Sequence, residues 1–146
     1  MDVEPPSASK LALIREFLRL NGTQGEIDRG DFLSRLGAFT GPLATELLAA
    51  NPTITYGEVL SAPGAAVLRA YGKHRQTWQD EYERHVNWEF TEQELEALVA
   101  FMTGAVGRHY LDSRWRMKAY VGSNTEHLLD EIAAEARGYL GLPAQS

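Results

Sequence analysis

Apolar side chains return every three to four positions along most of this chain, the period of an amphipathic helix rather than the alternation of a strand. Leu11, Ile14 and Leu18 share one face from about Ser9, with Leu13, Phe17 and Leu20 beside them. Asn21–Gly22 stops that helix. Thr23 followed by Glu26 reads as a capping box opening a second helix, which carries Ile27, Phe32, Leu33 and Leu36. Pro42 suits the first turn of a short third helix faced by Leu43, Leu47 and Leu48. Residues 53–60, TITYGEVL, read as a short helix or turn, and Ser61 with Pro63 opens a long helix reaching about Trp88. Its stripe is Val67, Leu68, Tyr71, Trp78, Tyr82 and Val86.

The stretch from Phe90 to Tyr110 is the most patterned. Thr91 and Glu94 have capping-box spacing, and Phe90 with Leu95 has that of a hydrophobic staple. Glu92, Glu94 and Glu96 put negative charge at the positive end of the helix dipole. Leu95, Leu98, Val99, Met102 and Val106 continue the inward face. Gly104 and Gly107 interrupt it, which predicts a corner after Thr103 or the close approach of a neighbouring helix. A last helical segment is expected to bend at Gly122–Asn124, to be capped by Ser123 with Glu126, and to bury Leu128, Leu129, Ile132, Ala136 and Tyr139. The reading is all-α: one bundle of five to seven helices over residues 9–142, after a disordered segment at 1–8.

Composition narrows the function classes. The 146 residues fit one ordinary domain. A net charge of −6 argues against a general nucleic-acid binder. With no cysteine there is no disulfide framework, thiolate metal site or cysteine nucleophile. No apolar run approaches a membrane span. The opening MDVEPPSASK has neither the basic nor the apolar region of a signal peptide.

Two groups of residues invite a chemical reading. Tyr71, His74, Trp78 and Tyr82 share a helical face, with Glu81 and His85 one turn apart nearby. They read as an aromatic-lined pocket, or alternatively as a core stripe with a satisfied histidine and a solvated salt link. Two ligands one turn apart need a third from elsewhere to hold a metal, and no metal or cofactor is assigned. The segment 108–118 holds Arg108, Arg114, Arg116 and Lys118 against one acid, Asp112, with Tyr110 and Trp115 interleaved. It reads as a patch for an anionic partner, or as a solvated face whose arginines pair with neighbouring acidic helices. No G-x-S-x-G, H-E-x-x-H or phosphate-binding glycine motif occurs, and no catalytic residue is assigned.

Phe90, Thr91, Glu94, Leu95, Leu98, Phe101, Gly107 and Arg108 give this stretch of about twenty residues a further feature. It resembles the signature of the bacterial family catalogued as domain of unknown function 2059, and IREFLRLNGTQGEID resembles that family's first helix and turn. RWRMK is more basic than that family's pattern. The resemblance implies an all-helical domain, often exported in Gram-negative bacteria, and carries over no activity. The expected function is a non-catalytic binding or accessory domain engaging a protein partner, itself or a small apolar ligand. An anion- or nucleic-acid-binding module on 108–118, or an enzyme with acid–base residues on the 62–88 helix, are the alternatives. The expected compartment is the periplasm if a signal preceding Met1 has been trimmed, and otherwise the cytoplasm.

Overall fold

The computed structural model describes residues 4–31, 33 and 37–144, with the side chains of 37–40 left aside. Among these residues there are seven α-helices and no strand: α1 (Ala8–Leu20), α2 (Thr23–Arg29), α3 (Gly37–Ala50), α4 (Tyr56–Glu89), α5 (Glu92–Thr103), α6 (Ala105–Thr125) and α7 (His127–Tyr139). The all-α expectation holds.

Local chemistry sets most boundaries. Ser7 caps α1 by accepting from the Lys10 amide at 3.1 Å. Gly22 and Gly30 adopt left-handed conformations, φ 89° and 69°, on either side of α2. Thr23 is therefore the first helical residue rather than the cap, and its amide donates to Asn21 Oδ1 at 2.9 Å. The expected Thr23–Glu26 box does not form, because Gly22 already turns the chain into the helix. Phe32 and Leu36, expected on the second helix, lie outside the described residues.

Pro42 and Pro63 both lie inside helices rather than at their starts. For α4 the reason is explicit. Thr55 and Glu58 form a complete capping box, with Thr55 N–H donating to Glu58 Oε2 at 2.9 Å and Glu58 N–H donating to Thr55 Oγ1 at 3.3 Å. The cap begins the helix about two turns before the proline, so residues 56–60 lie within its first two turns. The box at the head of α5 forms as expected: Thr91 N–H donates to Glu94 Oε2 at 2.8 Å and Glu94 N–H to Thr91 Oγ1 at 3.2 Å.

Contacts divide the chain into two units, Met1–Phe101 and Met102–Ser146. In the first, α1, α2 and α4 pack on one another and α3 packs on α4. Its core is Ile14, Leu18, Val86 and Leu95, closed by Leu13, Phe17, Tyr82 and Phe90. Phe17 and Phe90 meet at 5.6 Å, so the staple residue before α5 also locks α1. Each fully buried side chain of this kind stabilises by about 1.5–3 kcal/mol.

In the second unit, Gly104 makes the expected corner in an extended conformation, φ −73° and ψ 165°. From Ala105 the chain runs as a nearly continuous helical rod to Tyr139. The interruption falls at Glu126, not at Gly122–Asn124, and Glu126 keeps helical angles, φ −56° and ψ −39°. The Leu129 amide bonds the Glu126 carbonyl at 3.1 Å, a local tightening of one turn. No side chain caps α7, so the expected Ser123–Glu126 cap is absent. The expected burial of Leu128, Leu129, Ile132, Ala136 and Tyr139 is also absent, since α7 has no buried residue. Their spacing made the face; none of the described residues of the second unit buries it.

Candidate functional site

The aromatic face of α4 is mostly taken up by packing. Tyr71 is buried, and its hydroxyl donates to the Ile27 carbonyl at 2.6 Å. Burial raises the Tyr71 hydroxyl above the ordinary tyrosine value. Its ring meets Trp78 edge-on, 5.4 Å between centroids and 72° between planes. Tyr82 packs against the Ile14–Leu18 cluster. The stripe Tyr71–Trp78–Tyr82 is what fastens α4 to α1 and α2. His74 is exposed. Glu81 is exposed and paired with Arg84 at 2.5 Å, and His85 is exposed with its ring 5.7 Å from Trp88.

Polar groups buried beside that stripe are all satisfied. Gln79 and Gln24 exchange amide hydrogen bonds at 2.8 and 3.1 Å, and Gln79 also donates to Glu83 Oε1 at 2.9 Å. Arg15 completes the chain by donating to the same Glu83 oxygen at 3.0 Å. Arg75 donates to Asp28, and this contact, with help from Gln24, holds the Asp28 carboxyl below the ordinary range. Asn87 donates to the Glu4 carbonyl at 2.9 Å, while Lys10 donates to the Asn87 carbonyl at 2.8 Å, which ties residues 4–7 to the end of α4. No buried side-chain polar atom among the described residues is left without a partner. A satisfied network of this kind fixes one packing arrangement.

Two open grooves lie in the first unit. One, of about 310 Å³, is bounded by Pro5, Pro6, Leu11, Asp80 and Glu83. The other, of about 410 Å³, is bounded by Gly30, Leu33, Gly64, Val67 and Leu68. Neither is lined by His74, Glu81 or His85. No group of three or more His, Asp or Glu side chains that would hold a metal comes together among the described residues.

The basic segment lies wholly on α6, where Arg108, Arg114, Trp115, Arg116 and Lys118 are all exposed. Arg114 lies 5.8 Å from the centroid of the Tyr110 ring, a cation–π contact. At helical spacing Arg114 and Lys118 share one side, and Arg116 points to another. The segment is thus a basic helix rather than a single basic patch.

Sequence reasoning read the apolar face of α7 as interior. On α7, Leu129 is 64% exposed, Ile132 60% and Tyr139 87%; just past its end Leu140 is 73% exposed, and on α6 Trp115, placed by sequence in the basic segment, is 68% exposed. The one available signal was the charge along the rod. α6 carries four basic residues and one acid, and the stretch 126–139 carries Glu126, Asp130, Glu131 and Glu135 against Arg137. No helix is long and apolar enough to cross a membrane.

Comparison with family models, with curated proteins and with solved structures finds no match.

Proposed function

We propose that this chain is a non-catalytic helical binding domain that docks another polypeptide on the apolar face of α7 and the adjoining face of α6. The observation that carries this reading is the face itself: an amphipathic 13-residue helix without one buried residue. A helix of that length is marginal alone in water, and packing of an apolar face normally supplies its stability. Contiguous apolar surface beyond a few hundred Å² marks interaction sites. The resemblance of the Phe90–Tyr110 stretch to a helical bacterial family, often exported, favours the periplasm if a signal precedes Met1, and the cytoplasm otherwise.

A photo-activatable residue at Leu129, introduced in cells producing the protein, tests it. Irradiation is expected to give a covalent adduct with a polypeptide from Leu129, and none from Glu131 on the polar side. Absence of any polypeptide adduct at Leu129 and Ile132 contradicts the reading.

A further inference from the structure

Resting on that docking function, we infer that the occupant of the α6–α7 face is a second copy of this chain, paired antiparallel about Gly122. Four observations on the rod converge on this arrangement.

The first is area. At their observed exposures Trp115, Leu129, Ile132 and Tyr139 present on the order of 650 Å² per copy, close to what each partner of a standard stable interface buries. The second is register. Leu111, Trp115, Lys118, Gly122, Thr125, Leu129, Ile132, Ala136 and Tyr139 follow one another at alternating steps of four and three, the seam of a paired helix. Glu126, the single residue between the two helices, keeps helical angles.

The third is Gly122, the midpoint of Ala105–Tyr139. Glycine inside a helix costs up to ~1 kcal/mol relative to alanine. Its φ is not positive, and a Cβ built on it would meet nothing within 4 Å, so neither backbone conformation nor packing within the chain calls for glycine here. Close approach of a second helix does, and at a two-fold axis Gly122 would cross its own copy.

The fourth is charge. α6 sums to +3 and the stretch 126–139 to −3, counting Arg, Lys, Asp and Glu. Pairing like with like would set basic against basic. Antiparallel pairing about Gly122 sets each α6 against the acidic half of its partner. In that register Trp115 is level with Leu129 of the second copy and Lys118 with Glu126. Arg116 falls between Glu126 and Asp130 of the second copy, on the same flank of the seam. The basic segment of α6 is on this account a pairing device, and the excess acid of α7 is its counterpart.

The test uses the purified full-length chain. Sedimentation is expected to give twice the 16.2 kDa chain mass. Because the chain has no cysteine, single introduced thiols report the pairing cleanly. Gly122→Cys is expected to form an interchain disulfide on oxidation. Ala136→Cys is expected to form none, its two copies being about 40 Å apart along the antiparallel rods. Cross-linking at both positions indicates parallel pairing and overturns the inference. A second set of variants avoids the crossing point. R116E/K118E alone and E126K/D130K alone are each expected to weaken self-association about tenfold or more, and an equimolar mixture to restore it. A chain that stays monomeric, or a mixture that restores nothing, overturns the inference. If Leu129 then still gives an adduct with a different polypeptide, docking stands and self-pairing falls; if it gives none, both fall.

Discussion

The helical period that buries Ile14 and Leu18 on α1 recurs on α7 and buries nothing. α1 has α2, α4 and the Phe90 ring against its apolar face, and Ile14 and Leu18 are 0% and 1% exposed. α7 has Leu129, Ile132 and Tyr139 at helical spacing, each more than half exposed. Periodicity states which way a helix faces. It does not state what it faces, and in this chain that second fact separates the packed core from the exposed apolar face of α7.

The largest expected contrast lies between truncations in the two regions. Leu95→Ala or Ile14→Ala is expected to cost about 2–5 kcal/mol of stability, because each removes a fully buried side chain and leaves a cavity. Leu129→Ala and Ile132→Ala are expected to change the stability of the dilute chain by less than about 0.5 kcal/mol. Urea denaturation of the four variants measures both, and equal losses from α7 and core would break the contrast.

Next come the α2–α4 joint and the helix caps. Gly30→Ala is expected to cost more than ~1 kcal/mol, since φ is 69° and an added Cβ would lie 2.8 Å from the Tyr71 ring. Tyr71→Phe removes the shorter of two hydrogen bonds to the Ile27 carbonyl, leaving that from the Gly30 amide at 3.4 Å, and is expected to cost about 1 kcal/mol. Thermal unfolding of each reads the joint, and wild-type melting of both would remove it. Thr55→Ala and Thr91→Ala, each breaking a capping box, are expected to cost about 1 kcal/mol apiece, read in the same melts.

The smallest effect is on pH. Amide and hydroxyl hydrogen bonds from Thr91 hold the Glu94 carboxyl below its ordinary range, and those from Thr55 do the same for Glu58. Carboxyls depressed in the fold contribute stability that is present above the unfolded carboxylate range. That contribution is lost as pH falls through the folded values. Melting temperature is therefore expected to drop on acidification from neutral pH. Glu94→Gln, which keeps a capping side chain but cannot titrate, is expected to reduce the slope. An unchanged slope assigns the acid sensitivity elsewhere.

Much of the first unit was legible because local signals and packing agree there. The Asn21–Gly22 stop, the Thr91–Glu94 box and the stripe of Tyr71, Trp78 and Tyr82 all lie where spacing puts them. Pro42 and Pro63 misled because a proline tolerated inside a helix looks the same in sequence as one at its start; the Thr55–Glu58 box outweighs it. Thr23 misled because a left-handed glycine occupied the cap position. Of the candidate surface, the residues were legible and the exposure was not. Burial of α7 follows from what packs on it, and no residue within α7 encodes that.

Hydrogen exchange of the full-length chain over a dilution series tests the central claim most directly. The account predicts that protection in α6 and α7 falls on dilution, while amides around Ile14, Leu18 and Leu95 keep theirs. Strong protection of α7 at every dilution, in a chain that sediments as a monomer, would contradict it.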